Sequence, residues 1–316
     1  MDHFLNVTDH DPAVIRRVLR RGFALRTERR ENGQNAPVLA GRTLAMLFEK
    51  PSLRTRVSFE QAMNHLGGRA VVLGRDEVGL GRREAVADVA RVLGGMVDAI
   101  AARVFDHAHL EALAAHAGVP VVNMLSDRSH PAQALADAMT LADAAAGGPA
   151  AAEADPDTAL DALRGRHVVF VGDANNVARS LARVCAALGM RFTLACPAGL
   201  TLDEPNAAVT HDARAAVADA DALYADTFVS MGEEAEKEAK LARFAGFAID
   251  ESLLAAAPRH AVVLHCLPAY RGVEITDAVM DGPQSRVFPQ AHNRLHAQKG
   301  LLAELKFGPA GASAGG

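Results

Sequence analysis

The chain has 316 residues, half of them hydrophobic, with a formal net charge of −5. That length suits about two domains, and an acidic balance without a basic stripe interleaved with aromatics argues against nucleic acid as a partner. No apolar run is long enough to span a membrane, the start MDHFLNVTDHD is too acidic for a targeting peptide, and Cys185, Cys196 and Cys266 lack a paired spacing for disulfides or zinc; a cytoplasmic chain is expected.

A helix is predicted over Asp11 to Arg21, with Val14, Ile15 and Val18 apolar. Leu44 to Phe48 reads as a strand and Pro51 breaks it. Phe59, Ala62, Met63 and Leu66 then recur at the spacing of a buried helix face. Val71 to Leu73 is a short apolar stretch, Gly74 to Arg83 a polar, glycine-rich loop, and Val86, Val89, Ala90, Leu93 and Val97 mark the next helix. Ala99 to Phe105 reads as a strand, residues 109–117 as a helix and Pro120 to Met124 as a strand. A helix beginning near His130 leads into residues 144–159, AAAGGPAAAEADPDTA, which have no core periodicity and read as hinge and surface insertion.

A second alternation follows. Strands are predicted at His167 to Gly172, Phe192 to Cys196, Ala222 to Ala225 and Ala261 to Cys266, and helices at Val177 to Leu188, 212–220, 233–243 and Leu295 to Leu305. The tail GPAGASAGG is expected to be disordered. Repeated β-α-β units imply an α/β protein of two doubly wound parallel-sheet domains, with ligands at the carboxyl ends of the strands. The expected division is 1–143, a linker and insertion at 144–160, 161–292, a C-terminal helix at 293–307 packing back on the first domain, and a tail at 308–316.

Several side chains fall where such sheets present ligand groups. Ser52 can cap the helix after the first long strand, and the unpaired amides of that helix start, with Arg54, Arg56 and Lys50 nearby, suit a phosphate. Arg103 lies near a strand end, and His130 and Gln133 flank Pro131 at a helix mouth. VGDANNVARS, residues 171–180, follows a strand and opens a helix but lacks G-x-G-x-x-G, so it reads as a turn with an Asn cap. Asp226 ends a strand, as do Cys266 and Leu267, and a buried Cys is ordinarily a small hydrophobe.

In order and spacing these segments resemble the aspartate and ornithine carbamoyltransferase superfamily. FEKPSLRTRVSFE is similar to its carbamoyl-phosphate motif S-T/L-R-T-R, SHPAQ to H-P-x-Q, VGDANN to G-D-x-x-N-N, DTFVSMG to D-x-x-x-S-M-G, HCLP to the ornithine branch's H-C-L-P, and NRLHAQKG to N-R-L-H-x-x-K-A. The likeness covers roughly residues 4–306. It implies the carbamoyltransferase fold and carbamoyl transfer from carbamoyl phosphate to the δ-amine of L-ornithine, giving L-citrulline in arginine biosynthesis. Carbamoyl phosphate would be held by Ser52, Leu53, Arg54, Thr55, Arg103, His130, Gln133, Cys266, Leu267 and Arg294, and ornithine by Asn176, Asp226, Ser230 and Met231. Arg103, His130, Cys266 and Asp226 would serve catalysis. No metal or organic cofactor is implied, because carbamoyl phosphate is already activated, and the family's usual assembly is a homotrimer.

The amine sets the chemical problem. An alkyl ammonium resembles Lys, so presenting it neutral at pH 7 costs roughly 4–5 kcal/mol. Asp226 and Cys266 are expected to orient it and ease its deprotonation, the departing phosphate taking the second proton; the thiol is not a covalent nucleophile. Three positions depart from the family pattern: Gly79 where some members carry Gln, Phe228 where Trp is common, and Tyr270 where His is frequent. The rival readings are transfer to N-acetylornithine or putrescine, a nicotinamide-dependent oxidoreductase, disfavoured by the missing glycine fingerprint, and a non-catalytic paralogue, disfavoured by the intact phosphate motif.

Overall fold

The computed structural model describes residues 1–229 and 237–308. It divides into two compact units, Met1–Ala136 with the stretch from Arg294 onward, and Asp137–Asn293.

The first unit opens with α1 (Pro12–Asn32), which Asp11 caps and Gly33, at φ 71°, ends. The helix continues beyond Arg21, where the obvious apolar pattern thins, because Gly22, Phe23, Leu25 and the stem of Arg26 are also buried. There follow β1 (Thr43–Phe48), α2 (Leu53–His65), β2 (Arg69–Gly74), the single turn α3 (Arg75–Val78), α4 (Val86–Gly94), β3 (Ala99–Arg103), α5 (His107–His116), β4 (Val121–Leu125) and the start of α6 (Pro131–Ala145). All strands are parallel, in the order β2-β1-β3-β4. Ala45, Leu47, Ile100 and Ala102 on one face pack with Val89, Ala90, Leu110 and Leu113 into a core. The strand order reverses between β1 and β3, and Phe48 is in register with Arg103 at that point. Open α/β sheets bind ligands there.

In the second unit, residues 144–160 are not a featureless linker. They form α7 (Pro149–Ala154) and α8 (Pro156–Asp161), each started by a proline at its first position, and Ala152, Ala159 and Leu160 are buried. The sheet comprises β5 (His167–Val171), β6 (Arg191–Ala195), β7 (Ala207–Thr210), β8 (Ala222–Ala225) and β9 (Val262–His265). The helices are α9 (Asn176–Leu188), α10 (Ala213–Ala216), α11 (Lys237–Arg243), α12 (Glu251–Ala256), α13 (Asp277–Met280) and the first half of α14 (Val287–Ala303). The parallel order is β7-β6-β5-β8-β9, reversing between β5 and β8. Strand β7 carries no apolar alternation because Ala208 and Val209 are exposed at the sheet edge. Val169, Val171, Leu223, Ala225 and Val263 lead the core of this unit.

Helix α14 starts earlier than the predicted Leu295, and its C-terminal half belongs to the first unit. There a Cβ on Gly300 would lie 2.3 Å from the Val18 carbonyl oxygen, so only glycine lets α14 approach α1 this closely. Beside it the buried Lys299 ammonium donates to the carbonyl of Leu25 at 3.1 Å and to Asn35 Oδ1 at 2.8 Å, satisfying groups near the end of α1. Among the described residues no helix is long and apolar enough to cross a membrane.

Candidate active site

The described candidates fall into two clusters, one per unit, each at the strand-order reversal of its sheet. In the first unit Ser52, in extended conformation, caps α2 by accepting the Thr55 amide at 3.3 Å. Thr55 is 1% exposed, and its hydroxyl accepts from Arg294 Nη2 at 2.7 Å. Arg294 Nη1 donates to Gln133 Oε1 and lies 3.5 Å from His130 Nε2. His130 directly precedes α6, its carbonyl accepting the amides of Gln133 and Ala134, so Pro131 at the first helical position aims His130 and Gln133 from the helix mouth. Thus Thr55, His130, Gln133 and Arg294 meet although they come from three helices.

Arg103, 6% exposed, ends β3, and Glu49 clasps this strand end: its amide donates to the Arg103 carbonyl at 2.9 Å and its carboxylate accepts the Phe105 amide at 2.6 Å. The His130 ring is held well below its ordinary pKa of 6.5, first by burial and then by the charges of Arg294, Arg103 and Arg54. A neutral imidazole beside three guanidinium groups is a site whose own charges repel until an anion arrives. Arg54 is half-buried within this field, whereas Arg56 turns outward to Glu60, 3.8 Å away, and Lys50 lies 4.3 Å from the centre of the Phe105 ring. Leu53 is 75% exposed.

In the second unit Val171, Ala225 and His265 are in register, which sets the residues just after each strand side by side. Asp226, 7% exposed, accepts the Cys266 thiol at 3.0 Å and the Thr227 amide at 2.8 Å on Oδ1, and Asn175 Nδ2 at 2.8 Å on Oδ2. Asn176 begins α9 at the same edge, half-buried. Ser230 and Met231 lie outside the described residues.

Cys266 is followed by Leu267 at φ 58°, a left-handed conformation that costs a branched residue of order 1–3 kcal/mol. A buried network holds it. The Leu267 amide donates to His265 Nδ1 at 2.8 Å, so that nitrogen is unprotonated and Nε2 carries the hydrogen. His265 Nε2 donates to Glu274 Oε1 at 3.0 Å, and the same oxygen accepts the Tyr270 amide at 2.6 Å. His265 and Glu274 are both fully buried. Behind them Gln290 Oε1 accepts the His265 amide at 2.8 Å, while its Nε2 donates to Asp137 at 2.7 Å and to Tyr224 Oη at 3.1 Å.

The three departures noted in the sequence have plain local settings. The Tyr270 amide donates to Glu274 while its side chain is exposed. Phe228 is buried and stacks on Phe244 with centroids 4.6 Å apart, a packing role a benzyl ring fills. Gly79 sits at φ 59°, with a Cβ position 2.7 Å from that of Arg83, so this turn has no room for a longer residue. Sequence reasoning missed His265, Glu274, Gln290 and Asn175. The available signals were a His beside Cys266 and the first of two adjacent asparagines at a helix start.

Residues 2–143 match the family model described as aspartate/ornithine carbamoyltransferase, carbamoyl-P binding domain, and residues 164–305 match its Asp/Orn binding domain. An ornithine carbamoyltransferase of Haloquadratum walsbyi is 44% identical over 315 residues, spanning 96% of this chain and 97% of that protein. The ornithine carbamoyltransferase structure from Thermus thermophilus superposes with a TM-score of 0.82 at 42% identity, over 96% of this chain and 98% of that one. That from Pyrococcus furiosus gives 0.86 at 43%, over 96% of each.

Proposed function

We infer the reaction from one premise: the chain belongs to the aspartate/ornithine carbamoyltransferase family. It transfers the carbamoyl group of carbamoyl phosphate to the δ-amine of L-ornithine, producing L-citrulline and phosphate. The observation that carries this reading is the set of three guanidinium groups around a neutral His130 and the Thr55 hydroxyl, at a helix start able to accept a dianion.

The phosphoryl oxygens sit on the α2 amides from Ser52 to Thr55 and on Arg54, Arg103 and Arg294, whose forks donate in pairs. His130, neutral and therefore able to donate through one ring nitrogen only, and Gln133 address the carbamoyl oxygen and nitrogen. Donors aimed at the developing oxyanion contribute about 3–4 kcal/mol each, and Arg103, His130 and Thr55 fill that role. Asp226 receives the cationic amine and draws off one proton, and Cys266 donates to Oδ1 of the same carboxylate. Asn176, Ser230 and Met231 hold the amino-acid end of ornithine. The neutral amine attacks the carbonyl carbon, the C–O bond to phosphate breaks, and the leaving phosphate accepts the second amine proton.

The step serves arginine biosynthesis in the cytoplasm, a compartment that suits a chain keeping Cys185, Cys196 and Cys266 as buried thiols. The active assembly is a homotrimer. Leu53, Val57 and Val71, 75%, 49% and 45% exposed on α2 and the edge strand β2, are apolar surface that association would cover. Citrulline formation measured in parallel with ornithine, N-acetylornithine and putrescine tests the reaction, with sedimentation reading the assembly. Turnover with ornithine alone is expected, and faster turnover of either other amine overturns the substrate assignment.

A further inference from the structure

We propose that Asn175, not only the adjacent Asn176, serves the reaction: it is the positioning residue that orients the Asp226 carboxylate. Its amide works in two directions. Oδ1 accepts the backbone amides of Val177 at 2.9 Å and Ala178 at 3.0 Å, capping α9, while Nδ2 donates to Asp226 Oδ2 at 2.8 Å. The assignment of oxygen and nitrogen is forced, because backbone amides only donate and an ionised carboxylate only accepts; the flipped amide would oppose like groups on both sides. Ser or Asp would cap the helix comparably, yet neither reaches both partners correctly. The serine hydroxyl is too short, and an aspartate would set a second carboxylate against Asp226.

The consequence is a rigid link from the start of α9 to the amine-receiving oxygens. The Cys266 thiol and the Thr227 amide both hold Oδ1. The bond from Asn175 holds the other oxygen, Oδ2, so rotation about the Cβ–Cγ bond would break contacts at both ends of the carboxylate. The proposal rests on the reading of Asp226 as the group that receives the ornithine amine.

Asn175→Ser, which preserves the cap, should melt close to the wild-type protein. Misaimed catalytic groups typically lower turnover by roughly 10- to 100-fold, so kcat with ornithine should fall that far while KM for carbamoyl phosphate stays put. In an Asp226→Asn background, Asn175→Ser should then cost less than about twofold, since residues acting through one another are not additive. A wild-type kcat in Asn175→Ser, or the same loss in both backgrounds, overturns the proposal. Crystal structures of wild type and Asn175→Ser read it independently of activity: a rotated Asp226 carboxylate supports it and an unmoved one overturns it. If the wild-type protein makes no citrulline, the reaction assignment fails, and the crystallographic comparison still decides the role of Asn175.

Discussion

Replacing Glu274 by Ala removes the acceptor on which the Cys266–Leu267 turn depends. Two donors lose their partner: the Nε2–H of His265, a fully buried residue, and the backbone amide of Tyr270, whose residue is exposed and regains water. A buried orphaned donor costs about 1–3 kcal/mol, and the emptied side-chain volume adds roughly 1–2 kcal/mol. The sum is on the order of 2–5 kcal/mol. The damage then spreads, because an unheld His265 ring no longer offers Nδ1 to the amide of Leu267 in its left-handed conformation. Glu274→Gln keeps an oxygen for both donors but puts an amide NH₂ where Oε2 accepts no hydrogen bond among the described residues, so it should cost only about 1–2 kcal/mol. The assay is urea unfolding followed by far-ultraviolet circular dichroism, since the chain has no tryptophan to report by fluorescence, paired with kcat well below the melting transition. The expected order is wild type, then Gln, then Ala in both measurements. If Glu274→Ala unfolded at the wild-type midpoint and kept its turnover, the buried pair would not be what holds the turn.

His130 is kept neutral in the folded chain, whereas the unfolded chain takes up its proton near pH 6.5, so stability is present above that pH and is lost as pH falls below it. From about pH 7.5 to 5.5 this residue should lower stability steadily; His107, lowered mainly by burial, acts in the same direction. Melting curves of wild type and His130→Asn across that range should converge at acid pH, and parallel curves would refute the assignment. Arg294→Lys replaces a fork shared by Thr55 and Gln133 with a point charge. KM for carbamoyl phosphate should rise about 10- to 100-fold, the worth of one or two charged hydrogen bonds, and an unchanged KM would remove Arg294 from the phosphate site. Cys266→Ala deletes a donor to Asp226; turnover should fall, and full activity at every pH would leave the thiol without a role.

Much of this protein is legible in the amino-acid order because its signals are local. Ser52 capping α2, Pro131 opening α6 and the apolar strands ending at Phe48, Arg103 and Ala225 depend on neighbours a few residues away, and a motif records such spacing faithfully. Boundaries drifted where burial overrode pattern, as in the charged second half of α1, or where pattern was absent, as in β7 and in α7 and α8. What the order of residues could not disclose is which side chains meet. Thr55 and Arg294 are 239 positions apart, and Cys266 and Asp226 are 40 apart. Their contact is decided by sheet register and by the return of α14, and a hydrogen bond requires atoms within about 3 Å in correct alignment. Such alignment arises only after hundreds of weak packing contacts have chosen one arrangement.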